Sequence, residues 1–391
     1  MTKSVADLDA AWRSYAQRIK AVGESITGDG FPDDPRLRAE GYRYVSRLTN
    51  LAHLIYVEFG DPALPSLFRV GDDTTPFGAT NTDNNYYRAI LDPTGTYRIT
   101  GDVTGVKEML FSVQDGEFVF GKTEVLAELS LEELVTDDEG TVELFLGGPE
   151  RPSNWLPLAP EAEYLNVREF VGDWEHDALA SLYMERIDDV GPPANLTPAA
   201  HSAALDRVAT WVEASVELWK QYVAGLRTFL PTNDLQAPLK PVGGAQNMLH
   251  GAGQWDLGPH QSLIIEFDRP EVTYWSIQTY VLDWMVPLDF ANRVTSLNDG
   301  QLREEEDGTF HIVLSHTDPG VQNWLDTSGL PNGLFTYRYV RPKNAPNPAT
   351  KVVEAAQVRA HLPASTPTFS AEERRDQIAS RRRGVARRFR R

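Results

Sequence analysis

The chain has 391 residues with 41% apolar side chains, including nine Trp, 14 Tyr and 16 Phe, which is too long for one ordinary core and rich enough in large side chains for two folded units. It has no Cys, which excludes disulfides, thiolate metal sites, iron–sulfur clusters and a Cys nucleophile. The net charge of −19 is uneven: from Arg359 onward ten Arg stand against Glu372, Glu373 and Asp376, so the tail is +7 and the remainder −26, a body that should repel nucleic acid.

The opening MTKSVADLD has no apolar leader behind basic residues, and no stretch reaches the roughly 18 apolar residues of a membrane span. A cytoplasmic protein without integral membrane association is expected. Val5, Leu8, Trp12, Tyr15, Ile19 and Val22 recur every three or four residues and predict a helix over 4–26. Asp34 before Pro35 starts a second helix, whose stripe of Tyr44, Val45, Leu48, Leu51, Ile55 and Phe59 runs to Gly60. Together they predict a helical hairpin over 1–66. From Leu67 the texture changes to short alternating runs broken by turns: YYRAIL, DPTGT, YRIT, MLFSV, QDGE, FVFG and TVELFL. These antiparallel strands make a first sandwich over 67–190. Thr197 and Pro198 open a long helix, with the stripe Leu205, Val208, Val212, Val216, Trp219, Val223, Leu226 and Leu230, inside a linking segment over 191–244. SLIIEF, TYWSIQTYV, TFHIVL and LFTYRYV build a second sandwich over 245–342. The linker RPKNAPNPAT, a helix with Ser370 and Glu373 as a capping box, and RRRGVARRFRR fill 343–391, and the Arg-rich end is expected to fray.

The two β regions repeat one another. GTVELFL (140–146) leads to Asn154-Trp155-Leu156 and then to YLNVREF with Arg168. GTFHIVL (308–314) leads to Asn323-Trp324-Leu325 and then to FTYRYV with Arg338. The expected fold is mainly β with flanking helices: two jelly-roll-like antiparallel β-sandwich domains of one duplicated design.

Segments TNTDNNYYRAILDPTGTYRI (80–99), SNWLPLAPEAEYLNVREFVGDW (153–174) and the later DGTFHIVL, QNWL and YRYVRP resemble the bacterial domain of unknown function 1214, often paired with domain 1254. The resemblance spans residues 67–342 and implies a tandem jelly roll with no settled activity. Asn81, Asp83 and Tyr86 match the family's Asn-x-Asp-x-x-Tyr pattern. In the second copy Asp326 stands where the first has Pro157, so the resemblance places any pocket of the full motif in the first unit.

Several groups could carry chemistry. Asn81, Asp83, Asn84, Asn85 and Tyr86 gather acceptors, amides and a phenol ahead of a strand, either as a binding loop or as an Asx-rich turn. Trp155 and Trp324 either seal sandwich ends, with Asn154 and its counterpart turning the chain, or line a mouth where a flat face could stack. Arg168 and Arg338 either pin a carboxylate or phosphate or pair on a solvated face, Arg168 with Glu169 or Asp173. Asp173 and Glu175 with His176 are a compact acid and imidazole cluster. His311 and His316 lack the further ligands a metal needs, so no metal site is expected. GxSxG, GxGxxG, GxxxxGK[ST] and HExxH are absent, which disfavours α/β serine hydrolases, nucleotide enzymes and zincins, and no cofactor is implied.

These residues leave three functions open. The first is an enzyme for a small hydroxylated or hydrophobic molecule at the end of the first sandwich, with Asp83 and Asp173 as acid/base and Asn81, Asn84, Asn85, Tyr86, Asn154, Trp155, Arg168, Trp324 and Arg338 as binding residues. The second is a non-catalytic ligand-binding or assembly protein whose wide faces could support homo-oligomers. In the third, the Arg-rich tail docks on an anionic partner or on the chain's own acidic surface.

Overall fold

The computed structural model describes residues 4–389 except 123, 190, 192–194 and 241–246, so Arg390, Arg391 and part of the expected linker lie outside the described residues. The chain divides into two units: Met1–Phe77, Asn85–Glu169 and Ala178–Tyr222 form the first, and Gly78–Asn84, Phe170–Asp177 and Val223–Arg391 the second.

In the first unit, helix α1 (Val5–Ser25) begins at Ser4, whose hydroxyl accepts the Asp7 amide while the Asp7 carboxylate accepts the Ser4 amide. Helix α2 (Pro35–His53) starts with Asp34 accepting the Leu37 amide and with proline where no donor is needed, and it continues as a π-helical turn, Leu54–Glu58. Arg18 of α1 donates to Asp206 (2.7 Å), Thr210 (2.8 Å) and Glu213 (2.8 Å) of helix α3 (Pro198–Phe229).

The strands of the first half are β1 (Phe68–Val70), β2 (Asn84–Ile90), β3 (Tyr97–Asp102), β4 (Glu108–Gln114), β5 (Val125–Ser130), β6 (Thr141–Leu146), β7 (Trp155–Leu156), β8 (Tyr164–Phe170) and β9 (Ser181–Arg186). One sheet has the order β1-β2-β8-β4-β5, the other β7-β6-β3-β9. Side chains alternate across each strand, so Ala89, Met109, Phe111, Leu165 and Val167 from one sheet meet Tyr97, Ile99, Leu144, Leu146 and Met184 from the other in a single buried core.

The second unit repeats the plan with β10 (Met248–Asp256), β11 (Gln261–Asp268), β12 (Tyr274–Val281), β13 (Val286–Pro287), β14 (Ser296–Asn298), β15 (Thr309–Ser315), β16 (Trp324–Asp326), β17 (Asn332–Val340) and β18 (Ala349–Glu354). Its sheets run β10-β17-β12-β13, with β14 also on β12, and β16-β15-β11-β18. Aromatic side chains dominate the space between them: Phe267 lies 5.2 Å from Trp275 and 5.4 Å from Tyr337, and Trp275 lies 5.0 Å from Phe310. Rings at such spacings contribute about 0.5–1.5 kcal/mol per pair beyond the area they bury.

Strand for strand, β2-β8-β4-β5 corresponds to β10-β17-β12-β14, and β7-β6-β3-β9 to β16-β15-β11-β18. Even the exceptional parallel pairings agree, Phe145 opposite Trp155 and Val313 opposite Trp324. The duplication therefore extends from the motif spacing to the order of strands within each sheet.

Helix α4 (Ala371–Phe389) starts with the expected capping box, Glu373 accepting the Ser370 amide and Ser370 the Glu373 amide. It does not fray at its Arg-rich end within the described residues. Arg374, Arg381 and Arg388, seven residues apart, share one face and are buried. Arg374 donates to Asp318 (2.9 Å) and lies 4.8 Å over Trp324. Arg381 donates to the carbonyls of Phe290 and Ser296, both at 2.9 Å, and lies 4.5 Å over Trp174; Arg388 donates to the Thr82 carbonyl at 2.9 Å and lies 4.9 Å over the same indole. Arginine can be buried this way because its stem is apolar and its planar fork finds carbonyl oxygens. No helix of the described residues is long and apolar enough to cross a membrane.

Candidate functional site

The Asn81–Asp83 turn belongs to the second unit, where Asp83 is completely buried. Its Oδ1 accepts from Trp174 Nε1 (2.7 Å) and Asn298 Nδ2 (2.8 Å), and its Oδ2 from Tyr274 hydroxyl (2.6 Å) and Gln278 Nε2 (3.1 Å). Asn81 completes the hub: its Oδ1 accepts the Asp83 amide (3.0 Å) and a Gln278 N–H, and its Nδ2 donates to the Tyr274 hydroxyl (2.9 Å). The first of these bonds is an Asx turn. Tyr274 and Gln278 alternate with Trp275 and Ile277 along β12, so one side of the strand feeds the aromatic core and the other the polar hub. Burial and then the Asp83 charge raise the Tyr274 phenol well above its ordinary range, so it stays a donor. Burial pulls Arg381 down to about 10, with Asp83 opposing the shift, so it remains charged at neutral pH. A carboxylate holding four donors serves as an anchor for the chain.

Asn84 is buried at the start of β2, and Asn85 donates to Glu169 Oε2 at 2.6 Å. The Asn-Trp pairs are structural twins. Asn154 accepts the Val135 amide (2.8 Å) and donates to its carbonyl (2.7 Å); Asn323 does the same with Arg303, at 2.8 and 2.7 Å. Each side-chain amide thus stands in for a peptide group of a neighbouring strand. Trp155 Nε1 donates to the Gly147 carbonyl and Trp324 Nε1 to Ser315 Oγ, both at 3.0 Å.

Asp173 lies on an exposed turn, where it accepts the amides of Glu175 (2.9 Å) and His176 (3.1 Å) and meets His176 Nδ1 at 2.9 Å. Its carboxyl sits below the ordinary range: burial acts to raise it, and bonds from His176 and these amides outweigh that. Glu175 pairs with Arg383. His316 meets Thr327 (2.7 Å) and the Leu257 carbonyl (3.2 Å), while His311 lies 3.3 Å from Glu266.

Arg168 is placed differently. It alternates on β8 with the core residues Leu165 and Val167 and therefore points, with Tyr164, to the outward side of the first unit's five-stranded sheet; Tyr86 and Arg88 share that side on β2. Arg88 Nη1 donates to Glu117 at 2.5 Å, both side chains buried, and its guanidinium lies 4.0 Å over the Tyr164 ring. Burial acts to lower Arg88, but Glu117 and the phenols of Tyr164 and Tyr56 outweigh it. Burial pushes Tyr164 up to about 12 against the charges of Arg88 and Arg168. Phe118, next to Glu117, stacks on Trp219 of α3 at 5.6 Å, and Arg207 of α3 lies 5.5 Å over Tyr56. Arg88 Nε, Gln114 Nε2, Arg168 Nη1, Trp211 Nε1 and Trp219 Nε1 are buried donors that meet no acceptor among the described residues. Glu169 is turned to the other side of β8, where it accepts from Asn85 and the Ala180 amide. Arg338, in the corresponding place on β17, donates to the Tyr280 hydroxyl (2.9 Å), Thr336 Oγ1 (3.1 Å) and the Ala79 carbonyl (2.8 Å).

A family model described as a protein of unknown function, DUF1214, matches residues 250–344. A solved structure of an uncharacterized protein from Burkholderia cenocepacia is similar over 90% of this chain and 99% of its own, at 32% identity and a TM-score of 0.83. The chain belongs to the DUF1214 family. A structure from Vibrio parahaemolyticus matches at 13% identity, over 80% of this chain and 98% of its own, with a TM-score of 0.45. No curated protein matches.

The matched stretch is the second sandwich of this DUF1214 protein and falls almost wholly within the 67–342 span of the motif resemblance. Sequence reasoning missed Trp174, Tyr274, Gln278, Asn298 and Arg381 around Asp83. A signal was present: TYWSIQTYV places Tyr274, Ser276, Gln278 and Tyr280 on one side of a strand whose other side is plainly core, and such a polar side needs a cover.

Proposed function

We propose that this DUF1214 protein binds a small molecule on the outward side of the first unit's five-stranded sheet, with Arg168 and Arg88 as anchors and Tyr86 on the same side. The contrast between equivalent arginines carries the proposal: Arg338 spends its guanidinium on three oxygens of its own unit, while Arg168 buries Nη1 with no acceptor among the described residues. A buried donor left unmade costs about 1–3 kcal/mol. With Arg88, Gln114 and Trp219 in the same state, the layer would forfeit an amount comparable with the roughly 5–15 kcal/mol that stabilises a whole domain. Acceptors from outside the chain are therefore expected there. In this function Asp83 and Asp173 serve to hold the chain in place.

Thermal melts against a library of small acids, alcohols and aromatics test the proposal. Compounds are expected to raise the melting temperature of the wild-type chain and to leave that of Arg168→Leu unmoved. A library with no Arg168-dependent compound would overturn it.

A further inference from the structure

We infer that the ligand is a small monocarboxylate with a flat, aromatic body, an inference that rests on the binding site proposed above. The layer presents a contiguous series of neighbours: Trp219 stacks on Phe118, Phe118 adjoins Glu117, Glu117 holds Arg88, Arg88 covers Tyr164, and Tyr164 lies within the electrostatic reach of Arg168. Arg88 Nε, Arg168 Nη1 and Trp219 Nε1 along it are N–H donors that meet no acceptor among the described residues, so the complementary ligand offers acceptors to them. Glu117 already pairs with Arg88, and no ion pair with Arg168 is present among the described residues, so the Arg168 guanidinium is the one offered to a ligand. A planar carboxylate fits a guanidinium fork with two parallel bonds, better than a lone carbonyl or hydroxyl does. Indole and phenyl faces of Trp219 and Phe118 suit a flat apolar body, as aromatic rings stack or meet edge to face.

The test uses the full chain labelled with 5-fluorotryptophan, with the Trp219 fluorine resonance assigned through Trp219→Phe, titrated separately with benzoate, benzamide and inorganic phosphate. Benzoate is expected to shift the Trp219 resonance saturably, with benzamide at least about tenfold weaker because it lacks the charge-assisted bond. Arg168→Leu should abolish the benzoate shift while the other Trp resonances keep their positions, which shows that the variant is folded. Equal shifts from benzamide and benzoate, or a shift from phosphate alone, would overturn the carboxylate assignment and leave the binding site standing. Silence from all three probes while the thermal library yields Arg168-dependent compounds would overturn this inference alone, and silence in both experiments would remove the site as well.

Discussion

Gly384 sits in the middle of α4 against Trp174, and a Cβ built there would fall 2.4 Å from the Trp174 Cβ and 3.3 Å from its carbonyl carbon. Both atoms are fixed to the main chain, so no rotamer change relieves the overlap and the helix itself must move. Gly384→Ala sets two effects against each other. Alanine favours the helix by about 1 kcal/mol over glycine, whereas forcing a methyl into a closed contact costs about 1–3 kcal/mol. Displacement also stretches the Arg381 and Arg388 bonds to carbonyls on either side of the contact, and a charged donor's bond contributes about 1.5–3 kcal/mol. Packing should win, with a net loss of about 2–4 kcal/mol. Urea denaturation followed by tryptophan fluorescence measures it. A higher midpoint at unchanged slope for Gly384→Ala would show that α4 answers to its own helix propensity, and the account of its seat would be wrong.

Asp83→Ala strands four buried donors and is expected to cost about 3–5 kcal/mol in the same denaturation experiment, with Asp83→Asn less damaging because one oxygen is retained; a loss below about 1 kcal/mol would show that the hub contributes little. Burial, and then the charge of Arg338, lowers His250 from 6.5 to about 4. Between those values the unfolded chain binds the proton and the folded one does not, so the stabilisation is complete above pH 6.5 and declines as pH falls towards 4. His250→Gln should flatten this part of the urea midpoint against pH, and an unchanged slope would count against the assignment.

Much of the architecture was legible because it is written locally. Asp34-Pro35 and Ser370 with Glu373 mark helix starts through bonds made within one turn. GTVELFL and GTFHIVL, each followed at similar spacing by Asn-Trp-Leu, expose the duplication because equivalent strands need equivalent alternation and the same side-chain amide bridge. The polar hub was half legible. Asn81 and Asp83 stood out, but their partners come from positions 174, 274, 278 and 298, and nothing local specifies such meetings. Arg168 illustrates the same gap: its neighbour Glu169 looked like a partner, yet adjacent strand residues face opposite ways. The Arg-rich end misled because its charge suggested solvent, while the seven-residue recurrence of Arg374, Arg381 and Arg388 already marked one helix face.

The second unit is not a continuous stretch of chain: residues 78–84 and 170–177 belong to it although the strands beside them belong to the first. A gene cut between the two sandwiches would therefore give a C-terminal fragment without Asp83 or Trp174, and its buried amides and arginines would have nothing to close on. Asp83 and Asn298 meet across 215 residues of sequence, so loop closure makes this among the slower steps of folding.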